Sequence, residues 1–290
     1  CVDLLSPAIA ASTNPVVVDA TLGLGGHTEA LLQKFPHLTV IGIDRDLDAI
    51  AKASERLAPY ADRLRTAHST FDGIGEVVSN FGYSHIDGAL FDLGVSSMQL
   101  DEASRGFAYS QSAQLDMRMD QSRSLTAKKI IATYSEADLH KIFGMYGELH
   151  NAKTLANLIV KSRQINDINT VTQLKDIVKP IAKRGKENQY FAQLFQALRI
   201  EVNQELEVLK DFLMQTEEVL KPEGRLVVMS YHSLEDRLVK NYIQKGKFSG
   251  LLEKDLYGNT TVPFSMVSRK AIIASEAELS INNRARSAKL

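Results

Sequence analysis

Cysteine occurs once in this chain, as Cys1, and tryptophan not at all. A single thiol excludes an intramolecular disulfide and a thiolate metal cluster. Seven histidines are scattered without metal-ligand spacing, so no metal is expected. No run reaches the roughly 18 apolar residues of a membrane span, and no secretory leader is visible. Aromatic residues make up only 7% of the sequence, so no stacking platform for single strands is announced, and none of the common RNA-binding modules is recognisable. What is present is ordinary for a globular protein: 290 residues, 44% hydrophobic and 24% charged. That length builds one large domain or two smaller ones, and a cytoplasmic protein fits. The opening at Cys1, without methionine and on Val2-Asp3-Leu4-Leu5, reads as the middle of a helix, so a few upstream residues are expected.

Net charge is also scarce, at −1, but it is unevenly spread. Residues 1–122 carry 8 lysines and arginines against 16 acids, and residues 123–201 carry 13 against 7. Residues 202–220 carry 1 against 5, and residues 221–290 carry 12 against 7. Two basic segments therefore stand beside acidic ones, which suits a protein that meets a polyanion with one face. Solvated helix faces are the competing reading.

The stretch Val16-Val17-Val18-Asp19-Ala20-Thr21-Leu22-Gly23-Leu24-Gly25-Gly26-His27 organises the rest. Three β-branched residues read as a buried strand with an acid at its end, and a glycine-rich turn leads into the helix start Thr28-Glu29-Ala30-Leu31-Leu32. Glycines let a ligand lie against bare backbone, and the first N–H groups of a helix favour polar or anionic atoms. A dinucleotide fingerprint reads G-x-G-x-x-G/A, whereas Gly23 opens G-L-G-G-H-T, a poor match. The pattern D-x-x-x-G-x-G-G instead resembles the first motif of class I S-adenosylmethionine-dependent methyltransferases. That resemblance implies that Asp19, Gly23, Gly25, Gly26 and His27 hold the cofactor.

Further strands follow at the spacing of strand-helix-strand units. Leu38–Asp44 ends in Asp44, 25 residues beyond Asp19, where a carboxylate accepts the hydroxyls of a ribose or caps the helix Leu47–Leu57. Arg63–His68 reads as a third strand, after which Phe71 either lies against an adenine or packs in the core. Ile86–Asp92 is a fourth. In an open parallel sheet ligands sit beyond the carboxyl ends of the strands, so Asp19, Asp44, Phe71 and Asp92 are expected to converge. Lys221–Ser230 reads as a turn and a fifth strand after a helix Glu205–Leu220, and Ser268–Ala274 as a late edge strand. Between Thr126 and about Asn203 the periodicity is helical.

Six blocks in one order resemble the MraW/RsmH family, bacterial methyltransferases of a cytosine N4 in the decoding centre of small-subunit ribosomal RNA. They are Asp92-Leu93-Gly94-Val95-Ser96-Ser97 with Gln99-Leu100-Asp101; Arg105-Gly106-Phe107; Leu115-Asp116-Met117-Arg118-Met119-Asp120; Phe195 to Asn203; Ser230 to Arg237; and Arg284 to Leu290. The resemblance spans essentially the whole chain. It departs at Met98, where proline is usual, at Leu24, and at Asn188-Gln189-Tyr190-Phe191-Ala192, which replaces His-Pro-Ala. It implies an α/β, Rossmann-like class I fold with an inserted all-helical domain, S-adenosyl-L-methionine as cofactor, and 16S ribosomal RNA as partner, within the small subunit. Gln99 and Asp92 join the expected cofactor set, and Arg199 and Asn203 the substrate set. Oligomeric state stays open, and no membrane is expected.

The expected domains are 1–125 with 204–290 for the cofactor, and 126–203 for a helical insertion that presents cations to RNA phosphates or serves as plain scaffold. For the chemistry, Asp92 is the first candidate to accept an N–H of the amine, by its carboxylate or a nearby carbonyl. His232 and Ser233 hold the cytosine or take the proton; alternatively Ser233 caps a helix with Glu235 and Asp236 in its first turn. Arg237 pairs with Asp236 or binds phosphate, and Arg284 and Arg286 are candidate phosphate clamps. A DNA or other-RNA amino-methyltransferase and a non-catalytic RNA-binding assembly factor are the alternatives.

Overall fold

The structure, a computed structural model, describes residues 1–110, 112–252, 257, 260 and 262–290. Its strands are β1 (Val16–Asp19), β2 (Thr39–Asp44), β3 (Leu64–His68), β4 (Ile86–Asp92) and β5 (Leu220–Met229). The helices in chain order are α1 (Val2–Ala10), α2 (Gly26–Lys34), α3 (Leu47–Arg56), α4 (Ile74–Asn80), α5 (Ser97–Asp101), α6 (Ala127–Thr133), α7 (Glu136–Met145), α8 (Ala152–Arg163), α9 (Val171–Val178), α10 (Glu187–Asn203), α11 (Glu205–Val219), α12 (Ser233–Lys245) and α13 (Glu276–Ile281). Among the described residues no helix is long and apolar enough to cross a membrane.

Two compact units form, Cys1–Gly94 with Leu206–Leu290, and Val95–Glu205. In the first, the five strands make one sheet in the order β3-β2-β1-β4-β5 with every pair parallel, the order of a Rossmann-like α/β fold. Because side chains alternate along a strand, β-branched runs supply both faces. Val17, Val40, Leu90 and Val227 pack with Leu5, Ile9, Leu31 and Leu32 on one side. Val18, Ile41, Ile43, Ala89 and Phe91 pack with Ile74, Val78, Leu209 and Phe212 on the other.

Register decides what the site looks like. Asp19 is level with Gly42 of β2 and Leu90 of β4, so Asp44 and Asp92 each stand two residues further toward the carboxyl edge. Asp19 is thus recessed between two taller neighbours, at the point where strand order reverses.

The turn expected before the fifth strand is a bulge within it. Ile86 pairs with Leu220 and Gly88 with Arg225, so Lys221–Gly224 loop out opposite Asp87. Asp87 is buried; its Oδ2 accepts the Val16 N–H and its Oδ1 the Lys221 Nζ, each at 2.8 Å. Gly224 closes the bulge, where a Cβ would lie 2.8 Å from the Lys221 carbonyl oxygen. The late strand expected at Ser268–Ala274 contracts to a bridge: Lys289 pairs antiparallel with both Ser230 and Ile273.

The second unit, α5 to α10 with their connections, has its own core. Leu139, Phe143, Leu155, Leu174, Leu194 and Leu198 meet there, joined by Phe107, Leu115, Met117 and Met119 from the preceding irregular stretch. That stretch is why the units divide at Gly94/Val95 and Glu205/Leu206, whereas helical periodicity alone put the first boundary at 125/126.

Asp87→Ala leaves the buried Val16 N–H without its acceptor and is expected to cost about 1–3 kcal/mol in urea unfolding. Asp87→Asn, which keeps an acceptor, is expected to lose clearly less; equal losses would contradict the role given to the bond.

Candidate active site

The glycine turn after β1 is held from below by two acids. Asp19 has no exposed surface; its Oδ2 accepts the Thr28 hydroxyl at 2.7 Å and its Oδ1 the Thr21 N–H at 3.3 Å. Burial pushes its carboxyl above the usual carboxylate range, against the opposing pull of His27 and of the Thr28 and Thr21 bonds. Asp44 accepts the Gly23 N–H at 2.7 Å and the Asp46 N–H at 2.9 Å, and burial raises it as well. The cap of α3 is Asp46, which accepts the Asp48 N–H at 3.1 Å, so the capping role weighed for Asp44 belongs two residues later. Gly25 caps α2 in the left-handed region at φ 77°, and a Cβ there would lie 2.8 Å from Leu57 Cδ1. Only glycine satisfies both constraints.

At the end of β4, Asp92 is an acid that a ligand can reach. Its side chain keeps 28% of its surface exposed and that of His27 33%, with His27 Nδ1 3.9 Å from Asp92 Oδ2. The Tyr231 hydroxyl donates to Asp92 Oδ1 at 3.0 Å, and the Asp92 N–H donates to Thr21 Oγ1 at 2.8 Å. Desolvation raises the Asp92 carboxyl; His27 and the Tyr231 bond oppose it, and the charges of Asp19 and Glu235 add to it. Burial and the neighbouring Asp92 raise Tyr231 in turn, so the phenol keeps its proton. Two carboxylates, Asp19 and Asp92, thus share one imidazole, and the charge of Glu235 adds to the repulsion at Asp92. Such a place favours a cationic ligand, whose charge relieves their repulsion.

The structure distributes the other expected residues unevenly. His232, not Ser233, is the N-cap of α12: its Nδ1 accepts the Glu235 N–H at 3.4 Å, and Glu235 Oε2 accepts the His232 N–H at 3.3 Å. His232 Nε2 lies 3.0 Å from Glu235 Oε1 but without hydrogen-bond alignment, so both ring nitrogens face this acid. Ser233 follows as the first residue of the helix. Phe71 stands three residues past β3, where its ring packs edge-on against Phe91 at 4.2 Å and Phe212 at 6.0 Å with the Arg45 guanidinium over it. That is the core-packing alternative weighed for it.

Gln99 lies in the other unit, where it completes a capping box with Ser96 at the start of α5. Arg199 and Asn203 are also in that unit and serve its interior. Arg199 forms a two-pronged pair with Glu205, both contacts 2.9 Å. Asn203 donates to the Met117 and Arg199 carbonyl oxygens at 2.8 and 2.9 Å and accepts the Met119 N–H at 2.9 Å. Arg118 chelates Asp116 with two 2.7 Å bonds, and Arg105 donates to the Arg118 and Met119 carbonyls. Two of the six blocks are therefore tied to a third as a polar knot. Asp236 pairs with Lys240 at 2.9 Å and Lys289 at 3.3 Å, while Arg237, Arg284 and Arg286 are exposed.

Tyr231, Thr21 and Thr28 are not singled out as site residues by sequence, and Glu235 is read there as a first-turn acid. The parallel pairing of β4 with β5 held the signal for Tyr231, since it brings the residue just past β5 beside the end of β4.

The family model described as the MraW methylase family matches residues 1–290. The chain belongs to the MraW methylase family. Among curated members it is similar to a ribosomal RNA small subunit methyltransferase H of Cytophaga hutchinsonii, at 49% identity over 95% of this chain and 91% of that protein. A protein of the same name from Christiangramia forsetii is 48% identical over 95% of this chain and 89% of its own. Among solved structures, an rRNA methylase from Streptococcus thermophilus is 21% identical, with a TM-score of 0.27, over 39% of this chain and 66% of that one. The whole-chain match brings both units under one family, the acids at the strand ends and the knot in the helical unit alike.

Arg199→Ala strips the largely buried Glu205 carboxylate of its guanidinium and is expected to destabilise the protein by about 3 kcal/mol. Replacing both by hydrophobic residues of similar volume is expected to recover most of that loss in thermal or urea unfolding. A single variant as stable as wild type would show that the pair does not hold the helical unit.

Proposed function

We propose that this protein transfers a methyl group from S-adenosyl-L-methionine to the exocyclic N4 amine of a cytidine in the decoding centre of 16S ribosomal RNA. Family membership and the relatives' names support ribosomal RNA as the substrate; the N4 position rests on the sequence resemblance and on Asp92. The carrying observation is that a reachable carboxylate, Asp92, stands beside the recessed Asp19 at the switch point of the sheet.

The residues present fit the cofactor. Gly23, Gly25, Gly26 and His27 form the glycine turn and the start of α2, Asp44 at the end of β2 is the candidate to accept a ribose hydroxyl, and the acids suit a molecule that carries positive charge. Bound there, the cofactor supplies a methyl group on a positively charged sulfur, already activated for displacement. The chain's own work is alignment and exclusion of water. The cytosine amine has its lone pair delocalised into the ring, and an acceptor for one N–H draws that nitrogen toward a tetrahedral shape. Asp92 is that acceptor. Since the amine becomes acidic only as the new bond forms, a strong base is unnecessary, and His232 is left to its capping role. The target base must be unstacked or flipped to reach Asp92.

RNA contact falls to exposed cations. The connection from α9 to α10 carries Lys179, Lys183, Arg184 and Lys186, all exposed, and is braced by Asn151 Nδ2 donating to the Ile181 carbonyl at 3.3 Å. Arg237, Arg284 and Arg286 are exposed candidates in the first unit. A ribosomal substrate also supports a cytoplasmic location.

Incubation with methyl-labelled S-adenosylmethionine and small-subunit ribosomal RNA, followed by nucleoside mass spectrometry, is expected to show N4-methylcytidine. Asp92→Ala is expected to lower turnover about 10²- to 10⁴-fold. Label on DNA alone, on another position, or undiminished in Asp92→Ala would contradict the proposal. A second expectation concerns salt: replacing Lys179, Lys183, Arg184 and Lys186 together by alanine should flatten the slope of log affinity against log salt by roughly 3. An unchanged slope would remove this loop from the interface.

A further inference from the structure

Nothing in the motif blocks marks out Tyr231, yet its geometry ties three elements to Asp92. Its hydroxyl donates to Asp92 Oδ1 at 3.0 Å. Its ring lies against Gly94, where a Cβ would be 3.6 Å from Tyr231 Cδ2. Its backbone N–H donates to Glu235 Oε2 at 2.9 Å, and the His232 N–H donates to the same oxygen at 3.3 Å. Glu235 is 1% exposed, so this carboxylate is a fixed internal anchor for the peptide that carries the tyrosine. On the far side, the Asp92 backbone N–H is held by Thr21 Oγ1 and Asp92 Oδ2 faces His27. One oxygen of Asp92 is thus engaged by the phenol, and the other is turned toward the half-buried imidazole.

We propose that Tyr231 is a positioning residue, whose phenol anchors Oδ1 of Asp92 so that Oδ2 is the oxygen presented to the amine of the target base. The inference rests on the proposed methyl transfer to cytosine N4 and assigns a division of labour within that site. A free carboxylate rotates between near-equivalent orientations, and only one of them points an oxygen along the path of the departing N–H. Donation from the phenol removes that freedom. It also favours the ionised carboxylate over the acid beside Asp19 and Glu235, and only the ionised form keeps both oxygens as acceptors.

The test is Tyr231→Phe, which keeps the ring on Gly94 and removes only the donor. With wild-type protein active on small-subunit ribosomal RNA, the variant is expected to lose about 10- to 100-fold in kcat. Its dissociation constant for S-adenosylmethionine by calorimetry is expected to stay within about threefold, since anchoring Asp92 is a transition-state matter. The acid limb of its kcat profile should move to higher pH, because the bond that lowers the Asp92 carboxyl is gone. An unmoved acid limb, or a wild-type kcat, would overturn the inference. Lost cofactor binding with a lowered melting temperature would do so too, by making the residue plain scaffold. Failure of the wild-type protein to methylate cytosine N4 would instead bring down the functional proposal itself, and is seen before any variant is compared.

Discussion

Two carboxylates at the carboxyl ends of adjacent parallel strands, Asp19 fully buried on β1 and Asp92 partly buried on β4, stand beside one imidazole, that of His27. Desolvation makes such an arrangement costly, and most of the local architecture offsets that cost. Thr28 and Thr21 donate to Asp19, Tyr231 donates to Asp92, and His27 stands near both. The sheet supplies the rest: its register sinks Asp19 two residues below Asp44 and Asp92, so the acids are layered rather than level. A protein built only for stability would place apolar residues at these positions. A cationic ligand would offset that cost.

The helical unit shows a different use of charge. Arg105, Asp116, Arg118, Arg199, Asn203 and Glu205 belong to, or adjoin, the blocks that resemble the family, and they are spent on one another and on backbone carbonyls. They hold the irregular stretch Leu115–Met119 against the end of α10, where Met117 sits at a φ of 63°. Polar residues in a shared motif are therefore of two kinds, those that present an atom to a ligand and those that hold a loop in an otherwise unfavourable shape. Burial and partners within the unit separate the two; residue type does not.

Much of the fold was legible because apolar runs ending in acids recur at the spacing of strand-helix-strand units. β1 and β4 have the expected bounds, and β2 and β3 start within one residue of theirs. Capping was less legible. Asp46 rather than Asp44, and His232 rather than Ser233, take the cap positions, because a cap depends on where the backbone turns and not on which polar residue comes first. Tyr231 was missed for a related reason: its contact with Asp92 crosses from β5 to β4, 139 positions apart in sequence, and only strand pairing brings the two together. The resemblance implies substrate contacts for Arg199 and Asn203, but sequence carries no information about the Glu205 and Met117 groups that they engage in the structure.

The most direct measurement of the central claim is carbon-13 NMR of the aspartate carboxylates, titrated against pH with and without S-adenosylmethionine. The account predicts that Asp92 titrates above the ordinary carboxylate range in the free protein, and that its midpoint falls when the cofactor's positive charge arrives. A midpoint in the ordinary range, or one that stays where it is on saturation with cofactor, would contradict it.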